Sequence, residues 1–532
     1  MCVRAKRSLV FIRICVYLLL LAIAIPTGAA APPQCPTTST GTDIIFQDVP
    51  PDKLVGGGRF CPAVAVPVKP FHYGFGLSVG RLRQPDTRHP NPDIVVSDSQ
   101  PPRLSYFWWD SMHRKFKREV IFAGPSLDEC EKKHFVPRDD KGAQMDCLVF
   151  ESSFVADINC DGFDDIVVIS YRHPTSIFWF ENPGRSRSGW KRHPITNAPF
   201  QDGSEVSLVS GSSPYSLPAG SVFSAAPLRR GERCGRGKSD VDIVYGSHTV
   251  NTGLTLLRNP GPGAGRYSGS WEATSLTGTS GKNIRTLMPL PRAAHGSSDT
   301  VARVMYAPAI DDYEDRSKYP AVRIFPSTPA ILSVSADWPP KLQSIGQVND
   351  RAFGYAVGTF ATLRPKEPPA ALIPYGTMSQ RPCWPADRTF EHDQYTDNGV
   401  TAYQWAKEKK QWKQTGLIFG GKQFPWPHHV AAGRISADAV DDVVVGTMCS
   451  KVDGTPGDQP VSQVVYCRNP RNPAGKGETW SCEALATDLP GVPFVAIVDV
   501  DGDGINDVVA QTNGFAGHPG RLLWFKGRLP AT

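Results

Sequence analysis

Asp157-Ile158-Asn159-Cys160-Asp161-Gly162-Phe163-Asp164-Asp165-Ile166-Val167-Val168 and, far downstream, Asp499-Val500-Asp501-Gly502-Asp503-Gly504-Ile505-Asn506-Asp507-Val508-Val509-Ala510 are nearly the same segment. Each sets carboxylate or amide oxygens at positions 1, 3, 5 and 9 of a nine-residue loop, with Gly at position 6 and a β-branched run directly after. Ca²⁺ takes six to eight oxygens, and alternate residues of a tight loop can aim side chains at one centre while position 7 offers its carbonyl. The expected ligands are Asp157, Asn159, Asp161, the Phe163 carbonyl and Asp165, then Asp499, Asp501, Asp503, the Ile505 carbonyl and Asp507. Asp closes the loop at position 9 where an EF-hand has Glu at 12, and a strand follows where an EF-hand has a helix, so the EF-hand reading is rejected.

A repeated loop calls for a search at fixed spacing. Weaker copies begin near residues 81, 226, 290, 359 and 434, which with 157 and 499 gives seven units spaced by about 64 to 76 residues. Two of them, at 81 and 434, carry Arg at the first ligand position, and the guanidinium of Arg434 is expected to neutralise Asp438 and Asp442 in place of a metal. The other three retain only strand, loop, strand. Each unit continues with a third strand, such as Tyr106–Asp110, Phe178–Asn182 or 322–325, and a fourth, often opened by Trp, as at Trp190, Trp271, Trp412 and Trp480. Asn182-Pro183-Gly184, Asn259-Pro260-Gly261 and Asn469-Pro470 follow third strands, as turn chemistry predicts.

Four short antiparallel strands repeated seven times predict an all-β chain: a seven-bladed β-propeller of four-stranded blades, with a tandem of β-sandwiches as the alternative. The blades are expected to start near 72, 149, 219, 284, 353, 428 and 493, within one domain over 32–532. The last unit lacks a fourth strand, so the lone strand 42–49 is expected to complete it and cover its open edge.

The core A-D-x-[DN]-x-D-G-x-x-D-I-V-V with W-F-E-N-P-G and W-x-x-H-x-I, matched almost throughout 156–195, resembles the FG-GAP/VCBS repeat family, propellers similar to the head of integrin α chains. The resemblance implies the fold and calcium at two blades, those carrying the full carboxylate set, and says little of activity.

Arg4, Lys6, Arg7 and Arg13 precede an apolar run to Ile25 and the small residues Gly28 to Ala31, which predicts a signal peptide over 1–31 and a secreted, extracellular product. The run is about twelve residues, short of the ~20 that span a bilayer, which disfavours a signal anchor; no membrane span is expected in the mature chain. Of 57 basic residues these four leave with the signal, so 53 face 51 acidic ones and the formal +6 falls to +2. Nucleic acid is therefore not an expected partner. Ten cysteines remain after Cys2 and Cys15, an even number suited to disulfides, with Cys35–Cys61 and Cys130–Cys147 as short-loop guesses.

Segments entering the innermost strands of a propeller converge on one mouth of its channel. They hold His72, Tyr73, Glu151, Arg285, Arg351, Trp426 and His428, side chains suited to a sugar or a carboxylated glycan, though solvated loops and packed histidines have the same composition. G-x-S-x-G, H-E-x-x-H and G-x-G-x-x-G patterns give no credible catalytic site. The expectation is a monomeric binding module for a glycan or an extracellular protein, with no catalytic residues assigned. The alternative is a carbohydrate-active enzyme of lyase or dehydratase type working at the channel mouth, since similar propellers form part of fungal aldos-2-ulose dehydratases. A glycan array in calcium, paired with a reducing-sugar turnover assay, separates the two.

Overall fold

A computed structural model describes residues 60–61, 64–65, 74–83, 91–99, 102–125, 150–170, 176–184, 189–195, 223–229, 241–247, 254–261, 271–275, 283–289, 302–309, 330–334, 342–347, 358–375, 399–406, 408–409, 411–420, 427–435, 439–447, 462–470, 480–489, 491–513 and 520–528. Its strands begin with β1 (Val64–Ala65) and then run in groups of four. Sheet one is β2 (Gly74–Gly80), β3 (Asp93–Ser99), β4 (Pro102–Asp110) and β5 (Lys115–Ala123). Sheet two is β6 (Phe150–Ala156), β7 (Asp165–Ser170), β8 (Ser176–Glu181) and β9 (Lys191–Pro194). Sheet three is β10 (Phe223–Arg229), β11 (Val241–Ser247), β12 (Leu254–Arg258) and β13 (Glu272–Ser275). Sheet four is β14 (Asn283–Pro289), β15 (Ala302–Ala309), β16 (Ala330–Val334) and β17 (Leu342–Gln347). Sheet five is β18 (Thr359–Ala361), β19 (Ala370–Tyr375), β20 (Gly399–Ala406) and β21 (Gln411–Gly420). Sheet six is β22 (Pro427–Gly433), β23 (Asp442–Thr447), β24 (Ser462–Arg468) and β25 (Ser481–Leu489). Sheet seven is β26 (Phe494–Val498), β27 (Asp507–Gln511) and β28 (Leu522–Phe525), with β1 as its fourth strand.

All pairings are antiparallel and, apart from that of β1 with β28, join neighbours in chain order, the order of a propeller of four-stranded blades. The second strand of a blade lies between two strands and under two neighbouring sheets, so it has no solvent face. For that reason β7, β23 and β27 are buried at every residue and read as continuous apolar runs, DIVVIS, DVVVGT and DVVAQ, instead of alternating. The outer strand β5, KFKREVIFA, exposes its charges. Charge on an edge strand discourages pairing with other chains.

Apolar layers fill the gaps between sheets. Trp524 and Phe107 lie in the layer between sheets seven and one, Tyr106 and Phe178 between one and two, and Trp179 and Trp271 between two and three. Cys467 and Val430 lie between five and six, and Tyr466 and Leu523 between six and seven. Sheets three and four touch through β10, β11 and β14, sheets four and five through β17 and β21, and sheet seven returns to sheet one through β26, β27 and β2.

Two sequence expectations are corrected. The place beside β28 belongs to Val64 and Ala65, paired with Trp524 and Leu523, with a further bridge from Phe60 to Gly527. The expected strand 42–49 lies outside the described residues. Phe60 explains the choice: its buried ring meets Tyr466 edge-on at 5.1 Å, anchoring this segment in the layer between sheets six and seven. In sheet four the third strand is Ala330–Val334, not 322–325, which also lies outside the described residues; both stretches are short β-branched runs, and only pairing with β15 and β17 decides between them.

Candidate functional site

Both acidic loops join an innermost strand to its neighbour, as expected: 157–164 links β6 to β7 and 499–506 links β26 to β27. Their backbones match. Position 6 is left-handed in both, Gly162 at φ 89° and Gly504 at φ 84°, and so is position 4, Cys160 at φ 59° and Gly502 at φ 75°. Such values favour Gly, so the non-glycine Cys160, which is disulfide-bonded, is the exception. With the chain so curled, the first carboxylate collects backbone donors. Asp157 accepts from Asp161 N (3.1 Å) and Gly162 N (3.0 Å), and Asp499 from Gly502 N (2.7 Å) and Gly504 N (2.9 Å). At position 5, Asp161 and Asp503 accept from the N–H of Phe163 and Ile505.

Concentrating acids here has an electrostatic cost. Burial first, then the neighbouring Asp161 charge, pushes the Asp157 carboxyl above its usual range. Asp165 is pushed well above it by burial and by Asp161 and Asp157. In the second loop burial and the Asp503 and Asp501 charges raise Asp499, and burial lifts Asp507 to about 7. These all-oxygen donor sets are of the kind that fits a hard cation such as Ca²⁺. In the 157–165 loop no Lys or Arg among the described residues bonds Asp157, Asp161 or Asp165. In the 499–507 loop Asp499, Asp501 and Asp507 each bring a ligand oxygen within 4.8 Å of the others. There, however, the Lys526 ammonium already lies on Asp501 Oδ2 and, at 2.6 Å, on Asp503 Oδ2.

Position 9 has a role the sequence reading missed. Asp165 Oδ2 accepts from Ile158 N (3.0 Å) and its Oδ1 from Asn182 N (2.8 Å); Asp507 does the same with Val500 N and Gly527 N. Buried Asp242 and Asp442, in sheets without an acidic loop, accept from Asn259 N and Asn469 N in the same way. This Asp therefore holds the end of a blade's third strand whether or not the loop is acidic, and in the two acidic loops it ties the loop to it as well. The recurrent Asp before the β-branched runs of sheets one, two, three, six and seven was the signal. Position 8 faces the previous blade. Asp164 accepts from Arg81 N (2.7 Å), Asp441 from Thr362 N (2.6 Å), and Asn506 Nδ2 donates to the Arg434 carbonyl (2.8 Å).

The Arg434 expectation is corrected. Arg434 is exposed, Asp438 lies outside the described residues, and Asp442 Oδ2 takes the Tyr466 hydroxyl at 3.0 Å. Asp441, raised chiefly by burial, is the carboxyl that the Arg434 charge pulls down. The guanidinium–carboxylate pair lies instead in sheet one, where Arg83 Nε donates to Asp93 Oδ1 at 2.7 Å and Arg83 N to its Oδ2 at 2.9 Å. The same guanidinium lies 4.8 Å over Trp108.

Of the expected channel-mouth residues, His72, Tyr73, Arg351 and Trp426 lie outside the described residues. Glu151, Arg285 and His428 share one backbone feature. Each is the extra residue of a β-bulge at the start of an innermost strand: the register steps from Phe150 to Ser152, from Ile284 to Thr286 and from Pro427 to His429. Bulges commonly re-aim side chains at barrel rims and binding sites. His428 itself is buried, with Nδ1 2.9 Å from the Pro493 carbonyl of the next blade, which is the arrangement of a packed histidine.

A disulfide joins Cys467 to Cys482, directly opposed on β24 and β25, and Cys61 is also disulfide-bonded. Of the two guessed pairs, Cys35, Cys130 and Cys147 lie outside the described residues. No helix among the described residues is long and apolar enough to cross a membrane.

No family model and no curated protein matches the chain. Among solved structures, a crystal structure of an ancestral GH74 enzyme is similar at 9% identity and a TM-score of 0.46, over 88% of this chain and 49% of that one. The chain thus spans about half the length of that structure.

Proposed function

We propose that the chain is a secreted, seven-bladed FG-GAP/VCBS-type propeller, stabilised by calcium, that serves as a binding module for a glycan or an extracellular protein. The observation that carries the calcium reading is the 157–165 loop: three acids and Asn159 arranged about one tight turn, two of those acids held above their usual range, and no basic side chain among the described residues bonded to them. Seven blades are supported by the grouping of the strands into seven four-stranded sheets that touch in chain order and return to the first. Cross-strand disulfide chemistry supports an oxidising, extracellular setting. The bulges at Glu151, Arg285 and His428 support a binding surface at the start of the innermost strands.

The test has two arms on the mature chain. Metal analysis and thermal melting, with and without EDTA, should show bound calcium and a lower Tm after chelation; a calcium-free protein with an unmoved Tm sinks the calcium half. A glycan array run in calcium, with Trp426→Ala as comparison and a reducing-sugar assay beside it, addresses the ligand. Binding lost in Trp426→Ala is expected. Sugar turnover would instead move the chain to the carbohydrate-active enzymes, and a blank array alongside capture of an extracellular protein would remove the glycan.

A further inference from the structure

Lys526 and Glu181 stand at one register position in two sheets. Phe525 faces Val508 as Phe180 faces Ile166, so the next residues along β28 and β8 correspond. One residue further on, Gly527 N and Asn182 N donate to Oδ1 of Asp507 and Asp165, at 2.7 and 2.8 Å. The register and this hydrogen bond correspond, and the charge is inverted. In sheet two, Glu181 Oε2 pairs with His193 Nε2 at 2.8 Å, which brings no fixed cation to the loop. In sheet seven the Lys526 ammonium lies between the carboxylates of loop positions 3 and 5, bonding Asp501 Oδ2 and Asp503 Oδ2, and its side chain is only 8% exposed.

A Ca²⁺ bound by this loop would need those same two carboxylates at about 2.3–2.6 Å. An ammonium in hydrogen-bond contact with one oxygen of each neutralises both and competes with the ion for them. The main chain of the lysine is also anchored. Its backbone carbonyl is held by Cys61 N at 2.9 Å, where the N-terminal segment closes the sheet, so the side chain starts from a fixed point beside the loop.

We propose that Lys526 is the tethered cation of the 499–507 loop, so that the two look-alike loops are not equivalent and the chain takes calcium at 157–165 alone. This rests on the calcium reading above, and the experiment separates the two. Full mature protein is stripped with EDTA, dialysed against calcium chloride and its bound calcium counted per chain. One ion is expected in the wild type, none in Asp161→Ala, one still in Asp503→Ala, and two in Lys526→Met, where the freed carboxylates accept the ion. Two ions in the wild type, or loss of one in Asp503→Ala, overturn the tethered-cation role while leaving the calcium reading intact. A single ion in folded Lys526→Met overturns it as well, since the loop then lacks a calcium geometry even without the lysine. No ion in the wild type sinks the calcium reading, and this inference with it. Should Lys526→Met fail to fold, the wild type and Asp503→Ala still decide.

Discussion

The side-chain amide of Asn182 donates to the carbonyl of Leu82, 2.6 Å away in the preceding blade. The same nitrogen donates to Asp164 O at 2.9 Å, while Oδ1 accepts Gly184 N at 2.9 Å. Asn259 repeats this on Ile158 O and Gly261 N, and Asn469 on Leu363 O and Asp441 O. An Asn-Pro corner is therefore a staple between blades as well as a turn. Removing the amide leaves buried carbonyls without that donor, at a cost of about 1–3 kcal/mol each. Asn182→Ala is expected to lose about that much in urea unfolding, and Asn182→Asp no less, since a carboxylate cannot donate. A variant as stable as the wild type would show that water replaces the amide.

Packing between blades concentrates at Trp524. Its indole is fully buried, 4.8 Å from the Trp109 ring and 5.2 Å from Phe116, in the layer where the last sheet meets the first. Trp524→Ala should cost about 3–5 kcal/mol, the usual range for emptying an aromatic site in a core. A loss below 1 kcal/mol would mean that sheets one and seven do not depend on this contact.

How much of this was readable in the sequence varies with the kind of interaction. Strand runs with two buried faces announce themselves as DIVV, DVVV and DVVA, which is why a propeller of four-stranded antiparallel blades was legible. The duplicate loops were equally visible, because ligand spacing is local. What escaped were relations between segments far apart. Nothing near Lys526 in sequence says that its ammonium reaches Asp501 and Asp503, and nothing near Asp165 says that it also holds Asn182 N, as Asp242 and Asp442 hold Asn259 N and Asn469 N. Phe60 and Val64 were overlooked for a related reason: a two-residue strand has no periodicity to detect, and its place is fixed by Trp524 and Tyr466.

Closure of sheet seven should therefore depend on residues 60–65. Cys61 N donates to Lys526 O at 2.9 Å, and Val64 and Ala65 cover the outer edge of β28. Deleting 60–65 uncovers that edge and removes Phe60 from its core layer, and exposed edges recruit other chains. The deletion is expected to aggregate or to remain unsecreted, and Phe60→Ala to lower the urea midpoint without aggregation. A monomeric deletion protein with an unchanged melting temperature would rule out this closure.

Acid sensitivity should have a source at His429. The imidazole lies against the Phe494 ring at 5.3 Å, and Val495 N donates to its Nδ1 at 3.4 Å, so protonation there would oppose an existing bond. Burial, and after it the charge of adjacent His428, push its pKa down to about 3. In the unfolded chain an ordinary histidine titrates near 6.5. Above that value both states are neutral and His429 contributes no pH dependence. Between about 6.5 and 3 the unfolded state binds a proton that the folded state refuses, so stability falls as pH falls through that window. His429→Asn keeps an acceptor for Val495 N and cannot be protonated. Its unfolding free energy should decline less steeply between pH 6.5 and 4 than that of the wild type, with the two curves parallel from pH 7 to 8. Curves parallel across the whole range would show that His429 takes up its proton as readily folded as unfolded.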